Sequence, residues 1–386
     1  MIPQKKYDLI VVGAGILGTF HAYHAAKKGL SVLVLEKSDQ ARGASVQNFG
    51  QVVPSGLDSD WQGYGRKSLA IYKELNKRWN LDIDASGSFY IASNDEEMIL
   101  INELHTINQE TGYLSELLNA AELTDRLPIL KKSYAKGGLF FPDELSVNPR
   151  KLIHQIHHGM QADGLADFKF NSMVVSLSTQ FDLSSVYLSN GKSYKGRKII
   201  ICNGSDFQSL YPKIFVQSDL QTVKLQMLRL VHQEAVIKGN ILTGLSIRRY
   251  ESFRECPSYN KIKAQGPLDK ELDDWGIHIL FKQEKDGSII LGDSHEYLDA
   301  NQQEYFDNSL QSRPHELFIR EGKKIMNGLQ WEIDASWAGY YSQCKQDKIF
   351  NQEIEPNIHV VTGIGGKGMT ASPGYALENI NRIYHD

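Results

Sequence analysis

Tyr7-Asp-Leu-Ile-Val-Val-Gly13-Ala-Gly15-Ile16-Leu17-Gly18 is the stretch whose reading decides the fold. Tyr7 to Val12 is almost wholly apolar, the pattern of a short strand buried on both faces. Three glycines follow at fixed spacing, and a helical stretch then runs to Lys28 and stops at Gly29. Ser31 to Leu35 is a second apolar strand, ending at Glu36 and Lys37. Strand, glycine turn, helix and strand within about thirty residues make a βαβ unit. Gly13 permits the tight turn, Gly15 lets a pyrophosphate approach the backbone, and Gly18 lets the helix pack closely on the strand. The helix N-terminus offers free N–H groups and partial positive charge to phosphate. Glu36 stands where a carboxylate accepts hydrogen bonds from a ribose. The unit predicts dinucleotide binding.

Working outward, Arg42-Gly-Ala-Ser45-Val-Gln47-Asn48-Phe-Gly50-Gln51 comes directly after the ribose acid, where a long flavin cofactor continues from its ADP half. Two further strand-then-glycine junctions lie far from the first. One is Lys198-Ile-Ile-Ile-Cys-Asn203-Gly204. The other is Asn357 to Gly368, with Gly363, Gly365, Gly366, Lys367 and Gly368 in one loop, and a helical pattern from Met369 and Thr370 to Ile383. Such a donor-rich helix start can hold the pyrimidine edge of a flavin, where negative charge develops on reduction. A solvated glycine-rich turn is the plainer alternative.

The remainder reads as ordinary globular structure. Leu69, Tyr72, Leu75 and Trp79 recur at helical spacing, as do Met98, Ile101, Leu104 and Ile107, and both series predict core-facing stripes. Gly276–Phe281 and Ser288–Gly292 predict strands around the turn Lys285-Asp-Gly287. The fold expected is α/β: a Rossmann-type FAD-binding domain built from residues 1–80, 141–215 and 335–386. Residues 81–140 and 216–334 form an inserted substrate domain of mixed and antiparallel β-sheet with helices.

Composition narrows the function. The 386 residues are 41% hydrophobic and 23% charged, with net charge −4, so the basic field of a nucleic-acid binder is absent. Cys202, Cys256 and Cys344 form no C-x-x-C pair, and their odd number suits a reducing compartment. No apolar run reaches the ~20 residues of a membrane span. Lys5 and Lys6 before Leu9–Gly18 imitate a secretory signal, but the glycine spacing and the second strand read as mature structure. The location expected is cytoplasmic, with neither metal, nucleic acid nor membrane insertion.

Taken together, Gly13–Glu36, Gly43–Gly50, Ile199–Gly204 and Gly363–Gly374 resemble the D-amino-acid oxidase, glycine oxidase and sarcosine oxidase superfamily over nearly the whole chain. A narrower likeness lies in Lys224-Leu-Gln-Met-Leu-Arg229, Gly244-Leu-Ser-Ile-Arg-Arg-Tyr250 and Gly292-Asp-Ser-His-Glu-Tyr297. With Gly43–Gly50, these resemble a bacterial branch thought to oxidise a carbon–nitrogen bond of a 2-aminoethylphosphonate-like amine. The resemblance implies FAD against the three glycine junctions, Ser45 and Asn48, with Val174 giving a backbone contact to adenine. Relatives that tether flavin covalently use a histidine where Gln47 stands or a cysteine near Gly339-Tyr340; neither is present, which implies non-covalent FAD. Sarcosine oxidases also carry an oxygen-activating lysine where this chain has Ile290; the resemblance thus argues against oxygen as the electron acceptor and leaves the acceptor as oxygen or unknown.

A phosphonate needs concentrated positive charge and fork-like donors. Arg248 and Arg249 are the expected anion readers, with Lys282, His278 and His295 in support. If the segment is a strand, the two arginines point to opposite faces and only one enters the pocket. Trp337 and Tyr340 are candidate walls for the flavin. Two rivals remain: a dehydrogenase or oxidase of small amino or hydroxy acids, and a non-catalytic FAD- or NAD-binding protein.

Overall fold

In the computed structural model, which describes residues 5–180, 182–305 and 308–384, the opening apolar run forms strand β1 (Lys6–Val12). Helix α1 (Ile16–Lys27) and strand β2 (Val32–Leu35) complete the βαβ unit. β1 sits between β2 and Ser193–Ile201, parallel to both, with Val12 opposite Leu35 and Ile201. Ile358–Thr362 lies parallel beside Ser193–Ile201. Asp167–Lys169 extends the parallel array beyond β2. A hairpin of Val174–Gln180 and Leu183–Leu188 adds antiparallel strands at the other side. The parallel strands therefore end at Gly13, Glu36, Cys202 and Gly363 along one edge, the edge at which open α/β sheets bind ligands.

α1, Ser59–Trp79 and Gly368–Ile383 pack on one another beside this sheet. Ser59–Trp79 begins where Asp58 accepts a hydrogen bond from the Trp61 N–H, and it stops at Asn80 in the left-handed region. Its Leu69, Tyr72 and Leu75 are buried, as the helical spacing predicts.

A second sheet is built around the long strand Leu220–Leu230. Ile289–Gly292 and Glu296–Asp299 pair antiparallel along one side of it, and Ile333–Cys344 along the other. Leu280–Gln283, Asn240–Leu242, Ser88–Ala92, Gly137–Phe141 and Glu116–Asn119 continue the sheet outward. All pairs in it are antiparallel except Asn240–Leu242 with Ser88–Ala92. No helix among the described residues is long and apolar enough to cross a membrane.

Three local expectations change. Ser246–Tyr250 is not a strand: Gly244–Ile247 is a short helix, closed by Arg248 N–H to the Gly244 carbonyl and Tyr250 N–H to the Ser246 carbonyl. The strand expected from Gly276 starts only at Leu280, because the His278 N–H goes to the Asp293 carbonyl. Ile333–Cys344 lies mostly in the second sheet and straddles the limit expected at 335, its Gln343 bridging to Ile364 beside the glycine loop. That strand ties the two sheets together.

Candidate active site

Between the two sheets lies a cavity of about 720 Å³. One end is walled by Gly15–Gly18, Ser45, Gly204 and Ile364–Thr370. Gly13 shapes this end from behind: its φ is +101°, and a Cβ there would stand 2.3 Å from the Cys202 carbonyl oxygen. A Cβ on Gly18 would stand 2.0 Å from the Gly13 carbonyl oxygen. Only glycine lets turn, helix and neighbouring strand approach this closely. α1 starts at Gly15 with no side-chain cap, and the Ile16 N–H donates to Ser45 Oγ at 2.7 Å. Glu36 is fixed at the end of β2, its carboxylate accepting from the Ala14 N–H at 2.9 Å and the Ser38 N–H at 3.0 Å. Gln47, Asn48, Gly50 and Gln51 also line the cavity. Asn48 braces this loop, donating to the Ala44 and Ser45 carbonyls and accepting from the Gly50 N–H.

The other end is polar, with His278 and Asp293 buried and Arg249 and Tyr297 reaching toward solvent. Arg249 follows the short helix and enters the cavity, donating to Tyr297 Oη at 2.6 Å. Among the described residues its hydrogen-bond partner is this phenol and not a carboxylate. His278, Asp293 and His295 converge beside it, with ligand atoms within 4.8 Å of one another. Asp293 Oδ1 stands 3.7 Å from Nδ1 of each histidine, too far for a hydrogen bond. His295 Nδ1 instead meets the Gly276 carbonyl at 3.0 Å, which makes it the N–H bearing nitrogen. Burial, with Arg249 adding to it, pushes the His295 imidazole down to about 3 and His278 well below its ordinary value, so both are neutral. Burial also pushes the Asp293 carboxyl up to about 7, against the pull of Arg249. No carboxylate–imidazolium pair exists here.

The profile of the family described as FAD dependent oxidoreductase (DAO) matches residues 8–378. The chain belongs to that family. A subunit of the opine oxidase of Rhizobium meliloti is 25% identical over 236 residues, covering 58% of this chain and 63% of that protein, less than two thirds of its length. Glycine oxidase of Bacillus cereus superposes with a TM-score of 0.77 at 20% identity, over 98% of this chain and 95% of that one. L-α-glycerophosphate oxidase of Mycoplasma pneumoniae with FAD bound superposes with a TM-score of 0.75 at 17% identity, over 99% and 96%. The geometry fits FAD: a glycine cradle at a helix start, where Ser45 Oγ holds the Ile16 N–H, leads into a cavity large enough for an extended ligand.

Several residues expected at the site stand elsewhere. Arg248 is turned from the cavity to Glu96 at 2.6 Å and buried Glu97 at 3.3 Å. Lys282 is buried but gives its ammonium to the Val147 carbonyl and to Glu284, both at 2.7 Å; its strand neighbour is Ile290. Trp337 lies behind the wall, donating to the Gln47 carbonyl at 3.3 Å, whereas Tyr340 lines the cavity. Lys37 and Arg42 make exposed pairs with Asp206 and Asp39. Asn203 turns its amide to the Asp206 carbonyl, and Val174 is buried at the start of its strand. Lys367 reaches from the cavity wall to Glu251. The sequence reading missed Asp293, Tyr297, Tyr250 and Tyr341, all in the cavity wall. The signal for two of them was present: Asp293, His295 and Tyr297 alternate within a segment already singled out.

Gln47 lines the cavity without a histidine's nucleophilic nitrogen, and the cysteines at 202, 256 and 344 are free and buried, burial pushing the Cys256 and Cys344 thiols up to about 12. Acid-precipitated holoenzyme should therefore release all of its flavin to the supernatant. Yellow colour retained in the washed pellet would show a covalent tether.

Proposed function

We propose that this flavoenzyme oxidises the carbon–nitrogen bond of a small anionic amine, an aminophosphonate related to 2-aminoethylphosphonate. The observation behind this reading is Arg249: a guanidinium inside the cavity, held by Tyr297 and lacking a protein carboxylate among the described residues. A half-buried fork of donors in the cavity wall, with no salt-bridged carboxylate among the described residues, fits an anionic ligand group, and phosphonate or carboxylate oxygens match its geometry. The narrower sequence likeness, which includes the Gly244–Tyr250 and Gly292–Tyr297 segments that build this end, favours phosphonate. Bound FAD supplies the chemistry of the step, accepting a hydride equivalent from the carbon beside the nitrogen. The protein's own part is to hold that carbon in place and exclude water. Arg249 anchors one end of the substrate, and Tyr340 and Tyr341 close the wall between it and the glycine loop. Three free, buried cysteines support a reducing, cytoplasmic setting.

An anaerobic screen of flavin bleaching tests the reading. 2-Aminoethylphosphonate or its N-methyl derivative should bleach the flavin at lower concentration than glycine, sarcosine or 2-hydroxy acids. Bleaching confined to the carboxylate or hydroxy-acid compounds would replace the phosphonate with those substrates.

A further inference from the structure

Arg249 accounts for one charge in the cavity and leaves its opposite unexplained. Asp293 is a carboxylate only 8% exposed, it lines the same cavity, and its Oδ1 has no hydrogen-bond partner. Burying a carboxylate oxygen without a donor is costly. Its nearest neighbours do not supply one. Both histidine Nδ1 atoms stand 3.7 Å away, and that of His295 is already given to Gly276. His278 Nε2 is likewise buried and unpartnered. The end of the cavity thus holds a cationic fork and an anionic oxygen that do not pair with each other, flanked by neutral imidazoles.

Resting on the amine reading above, we infer that Asp293 seats the ammonium end of a zwitterionic substrate while Arg249 holds its anionic end, and that Asp293 accepts the ammonium proton. In that step a nitrogen–hydrogen bond breaks, its electron pair stays on nitrogen, and an oxygen–hydrogen bond forms at Asp293; no electrons leave the substrate. The neutral amine so formed is the species whose adjacent carbon can yield hydride. A carboxyl poised near 7 is matched to a proton transfer at neutral pH. The titratable and charged groups facing Asp293 are Arg249, His278, His295 and the phenols of Tyr250 and Tyr341. Burial raises both phenols and keeps them protonated, so Asp293 is the one group among these that changes charge near neutrality. The spacing of His278, Asp293 and His295 would also admit a divalent ion. The Arg249 guanidinium opposes that occupant, because its charge reaches all three groups. A zwitterion brings the counter-charge for Arg249 with it; a bare dication does not.

The test is calorimetric binding to dithionite-reduced holoenzyme, which cannot turn the ligand over. Two probes are compared at about pH 8, where Asp293 is ionised: 2-aminoethylphosphonate and ethylphosphonate, which lacks the amine. Wild type should prefer the amine-bearing probe by about ten- to a hundred-fold, the range of a charge-assisted hydrogen bond. Asp293→Asn should shrink that preference to within about twofold, with ethylphosphonate affinity, FAD content and Tm retained. The unmutated protein gives a second measurement: the preference should fade as pH falls through about 7, because the carboxylate then becomes a neutral acid. A preference that survives in Asp293→Asn overturns the assignment. Equal binding of both probes by wild type overturns it too, while leaving the anion seat at Arg249 standing. If neither probe binds, the phosphonate reading falls and this one with it. Tight Zn²⁺ binding that disappears in Asp293→Asn, without any amine preference, would overturn it in favour of a metal site.

Discussion

Arg249→Lys should lower kcat/KM for the best amine substrate by about thirty- to a thousand-fold, the effect of losing ~2–4 kcal/mol of charge-assisted contact at a desolvated anion. Lysine keeps the charge and loses the fork, so the change isolates bidentate geometry from simple attraction. FAD content and Tm should stay close to wild type, because among the described residues the Arg249 guanidinium hydrogen-bonds Tyr297 alone and is not part of the packed core. Arg248 provides the contrast. Its guanidinium compensates Glu97, which is 2% exposed, and also reaches Glu96. Arg248→Ala leaves a buried carboxylate with less compensation, which should cost on the order of 3 kcal/mol of stability. It should lower Tm while kcat/KM of the surviving folded enzyme changes little. Steady-state kinetics and thermal melts on the two variants separate the roles. Wild-type kcat/KM in Arg249→Lys would remove the main residue-level support for an anionic substrate.

The contrast between the two arginines shows where sequence reading stops. The βαβ unit was legible because its information is local: an apolar run, three glycines and a second apolar run each act within a few residues of one another. The same holds for the helix carrying Leu69, Tyr72 and Leu75 and for the helix that follows the last glycine loop. The orientation of Arg248 and Arg249 is not local. Strand alternation was the available argument, and the short helix Gly244–Ile247 replaced it, sending Arg248 to acids more than a hundred residues away in sequence. Lys282 misled for the same reason: its charge is consumed by Glu284 and by the Val147 carbonyl, far away in sequence. Asp293 escaped notice because an isolated aspartate in a sequence looks solvated. Only the packing of His278, His295 and the strand Leu220–Leu230 around it makes it a buried group.

Gly13→Ala should yield protein with little or no bound FAD and a lowered Tm, the larger of the two effects. Two independent costs meet at this position. Its φ of +101° lies where side-chain-bearing residues are rare, and the new Cβ would stand 2.3 Å from the Cys202 carbonyl oxygen. Neither can relax cheaply, since that carbonyl belongs to backbone at the end of a central parallel strand and Gly13 N–H is held by the Leu35 carbonyl at 2.8 Å. Strained backbone of this kind costs about 1–3 kcal/mol and overpacking a further ~1–3 kcal/mol, a large share of a typical 5–15 kcal/mol of total stability. Moving the turn to relieve the clash would also shift the Gly13 carbonyl against Gly18, where there is no room even for a Cβ, and so displace the start of α1 where the phosphates are to be received. Gly43→Ala is the matched control. Gly43 lies in the neighbouring glycine-bearing segment, has φ −78°, and a Cβ there would meet nothing within 4 Å. Flavin absorbance per protein and thermal melts of the two variants decide the matter: loss in Gly13→Ala alone places the cofactor at the first turn, whereas full flavin content in Gly13→Ala would show that this turn does not receive it.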